Sequence, residues 1–248
     1  MSGLSATDAV QETDPRIHDV GSAFMLHPET MARSGELGYA NPFAFYAVGR
    51  GGVLGDVDAS VIVAAMGWFQ PDMMGPLWDE GVAVAGAREG ARRYGAACAA
   101  WGREHLAAVD GIERLASLTQ QLVAGTEASG LPLFAGWRAE PLVDDAPGRA
   151  MQLIHVLREW RGGLHLAATT AAGLSPLEAI LTNEGEAQAR FFGWEGDFPD
   201  CSHLKARHED AQQRTNALSA AVYERSLTDA ERGELADLMR GAEAAAAA

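Results

Sequence analysis

The apolar residues of this chain are mostly alanine, and this composition limits the folds that the chain can adopt. Hydrophobic residues make up 48% of the sequence, as in ordinary globular proteins, but aromatic residues make up only 7%. Alanine is the strongest helix former, whereas the β-branched residues that favour strands are scarce here. The sequence therefore predicts an all-α fold, which we expect to be a helical bundle.

Helix-start signals recur along the chain. Asp14-Pro15, Asn41-Pro42 and Ser175-Pro176 each place a capping residue before a proline at the first helical position. Thr228, with Glu231 three residues later, has the spacing of a capping box. Each of these sites is therefore predicted to open a helix.

The segment 127–148 is rich in proline, glycine and aspartate and is predicted to be a linker. On this interpretation residues 1–14 form a disordered tail, residues 15–126 an N-terminal helical half and residues 149–242 a C-terminal helical half. A single joint domain is the alternative. Within the C-terminal half, Gly162-Gly163 is expected to break a helix.

The formal net charge is −15, and only one of the 19 basic residues, Lys205, is a lysine. Nucleic-acid binding usually depends on a dense basic patch, so nucleic acid is disfavoured as a partner. The N-terminus lacks a signal-peptide pattern, and no window approaches 18 apolar residues. We expect a cytoplasmic protein that does not cross a membrane.

The most informative stretch for chemistry is Met151 to His165. At 100° per residue, Arg158, Arg161 and His165 cluster within about 60° at one edge of an apolar helix face, provided that the helix continues to His165. Two guanidiniums beside an imidazole can hold a carboxylate, a phosphate or an enolate while the imidazole moves a proton. Alternatively, both arginines simply pair with acidic neighbours, for which Glu178 is a candidate.

A second stripe of side chains follows the predicted helix that contains Tyr94, Cys98, Trp101 and His105. These residues fall on one helix face, and His105 among aromatic rings could contact a ligand or bind haem. The alternative is a core histidine that hydrogen-bonds to a carbonyl. Trp101 and His105 are therefore candidate ligand contacts.

Cys201, His203 and His208 are three potential metal ligands that lie close together in the sequence. On one helix His203 and His208 would point about 140° apart, so the three side chains should not reach one ion. No zinc-type cysteine spacing, phosphate loop or dinucleotide fingerprint is present. We predict neither a metal nor a cofactor, and haem is the alternative.

Two stretches resemble a known family. The run FYAVGRGGVLGDVDASVIVAAMGWFQPDMM and the run LREWRGGLHLAATTAAGLSPLEA are similar to segments of an actinobacterial family of uncertain function that is classed among helix-turn-helix proteins. In the second run the family has Arg-Glu-His-Arg-Gly-Asp-Gly-His, where this chain has Trp160 for the first histidine and Gly163-Leu164 for Asp-Gly. A wing-like turn of the family has no counterpart between Phe192 and His203. The matched residues are Arg50, Leu54, Gly55, Arg158, Glu159, Arg161, Gly162, His165, Gly173 and Glu178.

The resemblance implies a bundle derived from helix-turn-helix or winged-helix modules, whose two halves meet around a central cavity. We expect a cofactor-independent enzyme or binding protein of secondary metabolism that acts on an anionic or carbonyl-bearing small molecule, with a homodimer as an option. The reaction class would be isomerisation, cyclisation or elimination. A ligand-sensing transcription regulator and a haem-binding protein are the alternatives. The expected site combines two acid–base candidates with three clamping arginines and one aromatic contact: His165 and Glu159; Arg50, Arg158 and Arg161; and Tyr46.

Overall fold

The computed structural model describes residues 3–247, and these residues form thirteen α-helices and no β-strand. The all-α prediction is therefore confirmed, and no winged-helix wing occurs in this part of the chain. In chain order the helices are α1 Ala6–Ala23, α2 Pro28–Glu36, α3 Pro42–Gly51, α4 Ala59–Met66, α5 Pro71–Ala85, α6 Ala87–His105, α7 Ile112–Ala124, α8 Pro132–Arg138, α9 Ala146–Ala171, α10 Pro176–Asn183, α11 Glu186–Phe191, α12 Lys205–Ser226 and α13 Asp229–Ala246.

Helix α9 is the central element of the fold. It packs against α1, α6, α7 and α8, which precede it in the chain, and against α12, which follows it. One continuous hydrophobic core runs from Ala9 in α1 to Ala242 in α13 and includes the buried face of α9. A small second cluster around Leu174 and Cys201 lies beneath α10. The two halves that the sequence suggested thus share one core.

The predicted linker 127–148 contains a helix of its own. Helix α8 buries Leu133, Phe134 and Trp137 and packs against α9, and the Trp137 indole donates a hydrogen bond to the Arg50 carbonyl at 3.1 Å. The segment is therefore not a plain linker along its whole length, which agrees with the alternative of one joint domain. Pro132 begins this short core helix, and Pro147 lies in the first turn of α9.

The predicted disordered tail, residues 1–14, is also corrected where the structure describes it. Helix α1 begins at Ala6, and the Ser5 hydroxyl accepts a hydrogen bond from the backbone N–H of Asp8. Pro15 therefore lies inside α1, and Asp14 is a buried helical residue rather than a cap. Residues 1–2 lie outside the described part of the chain.

The predicted break at Gly162-Gly163 is absent, since α9 is continuous from Ala146 to Ala171. Each glycine costs a helix about 1 kcal/mol relative to alanine. Core side chains on both sides of the pair, such as Trp160 and Ala168, are buried and keep the helix intact. A real break occurs at Gly86, whose φ of 82° separates α5 from α6.

The other start signals are confirmed. Asn41 caps α3, Ser175 and Glu178 form a capping box at α10, and Thr228 and Glu231 form one at α13. No single described helix is both long and apolar enough to span a membrane. Among the described residues, α9 and α10 taken together are long and apolar enough for a span, but the chain bends by 104° between them.

Candidate functional site

A cavity of about 800 Å³ lies beside α9. It is bounded by α1, α3, α9, α10, α11 and the start of α12. Aromatic rings, among them Phe43, Trp68, Phe69 and Phe192, form part of its wall. Its basic lining residues are Arg50, Arg158, Arg161, His18, His27, His165 and His208. We call Arg50, Arg158 and Arg161 the arginine cluster. Tyr46 also lines the cavity, so the structure brings five of the predicted site residues together.

Arg50 is held by a buried ion pair with Glu159. The Arg50 Nε and Nη2 atoms donate to the two Glu159 carboxylate oxygens at 2.8 and 3.0 Å, and Nη1 donates to the Tyr46 hydroxyl at 2.9 Å. The Arg50 and Glu159 side chains are 9% and 1% exposed. Burial opposes the charge of Arg50, but the Glu159 carboxylate and the Tyr46 hydroxyl outweigh it and raise the pKa of Arg50.

Glu159 is not placed for the acid–base role that the sequence suggested. Burial alone would raise its pKa, but the charges of Arg50 and Arg158 outweigh burial and lower the pKa to about 2. Its carboxylate is therefore ionised at neutral pH and engaged by two guanidiniums. Glu159 also lies outside the wall of the large cavity. The geometry assigns it to holding Arg50 and Arg158.

Arg158 has the most unused hydrogen-bonding capacity in the arginine cluster. Its Nη1 atom donates to Glu159 at 3.0 Å, whereas its buried Nε–H has no hydrogen-bond partner in the described structure. The side chain lines the cavity and is 16% exposed. A guanidinium with free donors at a cavity wall can bind an anion or a carbonyl oxygen.

Arg161 pairs with Asp14, not with the expected Glu178. The Arg161 Nε atom donates to the Asp14 carboxylate at 2.6 Å, and Nη2 donates to Asn216 at 3.4 Å. Burial raises the pKa of Asp14, although the charge of Arg161 opposes this rise. Glu178 instead caps α10 through Ser175. The sequence interpretation missed Asp14 because Asp-Pro is also a helix-start signal.

His165 lies one turn beyond Arg161 and faces Trp68, whose ring centroid is 5.8 Å from that of the imidazole. The Thr215 hydroxyl donates to the Ala211 carbonyl at 2.8 Å, so it accepts at 3.1 Å from the His165 Nδ1–H. The Nε2 atom consequently carries the free lone pair. Burial, assisted by the charge of Arg161, lowers the pKa of His165 to about 4. The ring is neutral at pH 7 and can accept a proton at Nε2.

Trp101 and His105 do not line the cavity, so the structure does not bring them together with the other predicted site residues. Their rings stack with a centroid distance of 4.4 Å and an angle of 21° at the end of α6. His105 faces His27 and Glu29 of the neighbouring α2 region. Their donor atoms form the group of three potential metal ligands that converges in residues 3–247.

Cys201, His203 and His208 do not converge in the described structure. Cys201 is buried in the small cluster beneath α10, and His203 is exposed. His208 instead approaches His165, with ring centroids 5.9 Å apart. Its placement in the cavity wall was not expected from the sequence.

In sequence, residues 10–199 match the family model of a helix-turn-helix family. This range contains most of α1, all of α2 to α11 and the whole arginine cluster. Thr215 and His208, which flank His165, lie beyond it. No curated protein and no solved structure matches the chain significantly.

Proposed function

Given that the chain belongs to this helix-turn-helix family, we propose that it binds a small anionic or carbonyl-bearing molecule in the cavity beside α9. The observation that carries this proposal is the free donor capacity of Arg158 at the wall of the cavity, which the neutral imidazole of His165 also lines. The Arg158 Nη2 group donates no hydrogen bond in the described structure, so it can donate to a ligand oxygen at the cavity wall.

The volume and the lining residues of the cavity support a ligand with an apolar body. Small-molecule sites usually enclose about 300–1,000 Å³, are largely apolar and place a few polar groups at one end. The cavity matches this pattern in volume, with the rings of Phe43, Phe69 and Phe192 on its wall and the arginine cluster on α3 and α9. A ring-containing carboxylate, or an enolate formed from a ketone, has this combination of features.

We further propose proton-transfer chemistry on the bound ligand. His165 Nε2 would accept a proton, while Arg158 would stabilise the negative charge that develops on the ligand oxygen. Isomerisation, cyclisation and elimination all need these two functions. In this scheme Glu159 is a positioning residue, because its carboxylate fixes Arg50 and Arg158.

A ligand-sensing transcription regulator is the second candidate, and the family match favours it. The charges of the chain speak against it. The net charge is −15, and many surface arginines are paired with acids, as Arg103 is with Asp145 and Arg214 with Asp210. A gel-shift assay with the DNA upstream of the gene tests this candidate. Nanomolar, salt-dependent binding would support the regulator.

Binding of the fluorescent aromatic sulfonate 8-anilinonaphthalene-1-sulfonate tests the cavity proposal. Charge-assisted hydrogen bonds contribute about 1.5–3 kcal/mol, so Arg158→Gln should weaken one-to-one binding by roughly 10–100-fold. Arg207→Gln removes an exposed arginine and is the matched control. Equal affinities of the two variants, with both folded by circular dichroism, would contradict the proposal.

A further inference from the structure

We propose that His27, Glu29 and His105 bind one divalent transition-metal ion, with zinc(II) and iron(II) as the chemical class. This inference goes beyond the proposed function, which uses no metal, and departs from the metal-free site that the sequence suggested. The three residues lie where the C-terminal end of α6 meets the first turn of α2.

The distances between the donor atoms suit a metal ion. The Glu29 Oε2 atom lies 3.5 Å from His27 Nδ1 and 3.6 Å from His105 Nε2. All three donor atoms lie within 4.8 Å of one another. Ligand atoms at about 2.0–2.1 Å around a tetrahedral ion are separated by roughly 3.3–3.5 Å. Small rotations of the side chains would therefore bring the group to the metal-bound geometry.

The two imidazole nitrogens have no other partner in residues 3–247. His27 Nδ1 and His105 Nε2 are both buried and make no hydrogen bond. Their distances to Glu29 exceed those of ordinary N–H···O hydrogen bonds, which cluster near 2.9–3.0 Å. Leaving two nitrogen atoms dry and unpaired is costly, and a shared metal ion would satisfy both at once.

Aromatic contacts hold the two histidine rings in place. Trp101 stacks on the His105 ring and limits its rotation. The His27 ring lies edge-on to both, with its centroid 5.2 Å from that of His105 and 6.2 Å from that of Trp101. These aromatic contacts orient the two imidazoles, whereas the Glu29 side chain is half exposed and can turn toward them.

The donor set indicates which ions fit. Two imidazoles and one carboxylate bind catalytic zinc, and the same set forms the facial triad of non-haem iron(II) sites. Magnesium and calcium prefer all-oxygen sites. Three protein ligands leave at least one coordination position open. His27 also lines the large cavity, so the metal would lie at the edge of that cavity.

Cobalt(II) titration of the untagged, chelator-treated full chain tests the inference. Cobalt with four or five ligands gives intense visible d–d absorption, and we expect saturation at one equivalent. His105→Gln and Glu29→Gln should each weaken binding by more than the roughly 10–100-fold that loss of an outer-shell partner costs. His18→Gln is the matched control, because His18 and Asp19 form a separate, exposed histidine–carboxylate pair 2.9 Å apart.

The readout needs no ligand and no turnover, so it is independent of the Arg158 experiment. Retained one-equivalent binding in the His18 variant and its loss in the other two would support the metal site. Absence of cobalt absorption in the unaltered chain would overturn it, and so would equal binding by all three variants. Circular dichroism of each variant separates lost ligands from lost folding, and His27→Gln provides a third ligand substitution. Metal analysis of the protein as purified then distinguishes zinc from iron.

Discussion

Glu159→Gln should destabilise the protein by about 3–5 kcal/mol, because Glu159 neutralises a buried arginine. The two carboxylate oxygens bind Arg50 at 2.8 and 3.0 Å, and one of them also binds Arg158. With side chains 9% and 1% exposed, neither partner of the Arg50–Glu159 pair can regain its hydration when the other is removed. The cost comes from the charge that stays buried, more than from the attraction that is lost.

A double variant isolates this effect. In Arg50→Met/Glu159→Leu both charges are gone, so the double variant should be more stable than Glu159→Leu alone, with a coupling of about 1–3 kcal/mol. Urea unfolding followed by circular dichroism at pH 7 measures each free energy of unfolding. The control is Asp210→Asn, since the Asp210–Arg214 pair is 48% and 62% exposed and should contribute less than about 1 kcal/mol.

An acid–base role for Glu159 would have the opposite effect on stability. If Glu159 were an acid–base group, Glu159→Gln would leave the free energy of unfolding within about 1 kcal/mol of the original and would abolish function only. That result would refute the assignment of Glu159 to a buried ion pair. It would also contradict the lowering of its pKa to about 2 by the two neighbouring arginines.

Two further predictions concern stability. Burial lowers the pKa of His155 to about 4, so the stability associated with its neutral ring is complete above pH 6.5 and is lost as the pH falls toward 4, by up to about 3 kcal/mol. His155→Leu should therefore flatten the acid limb of a urea-midpoint profile between pH 7 and pH 4.5; an unchanged profile would contradict this. Gly52→Ala should cost more than about 2 kcal/mol in urea unfolding, since the added Cβ would meet the Ala87 carbonyl, 2.9 Å from its carbon. Gly162→Ala, with no neighbour within 4 Å of its Cβ, should stabilise by about 0.5–1 kcal/mol, and equal effects of the two would refute the packing argument.

The features that sequence predicted well are local. Helix starts at Asn41, Ser175 and Thr228 depend on side chains that cap a backbone a few residues away, so neighbouring residues are enough to identify them. The placement of Arg158, Arg161 and His165 at one cavity is similarly a matter of helical spacing. Whether they bind a ligand there stays a prediction.

The features that sequence missed depend on contacts between distant residues. Asp14 lies 147 residues from Arg161, and Asp14-Pro15 has the same pattern of a capping residue before proline that opens α3 and α10. The continuity of α9 through Gly162-Gly163 depends on tertiary packing, which overrides the low helix propensity of glycine. His27 and Glu29 flank Pro28 at an ordinary helix start, and only the fold brings them to His105.

The charges around the cavity restrict the ligand further. The arginine cluster supplies three positive charges, while the buried carboxylates of Glu159 and Asp14 supply two negative ones. His165 adds no charge at neutral pH, because burial lowers its pKa to about 4, and Glu184, which also lines the cavity, is exposed. The arginine cluster therefore has one positive charge more than its two partner carboxylates, and a singly charged anion balances that excess. A doubly charged anion would leave one charge desolvated and unpaired. At pH 7.5, benzoate should therefore displace bound 8-anilinonaphthalene-1-sulfonate at a lower concentration than phenyl phosphate does. Phenyl phosphate carries nearly two negative charges at that pH. The reverse order would mean that Glu159 or Asp14 yields its arginine to the ligand.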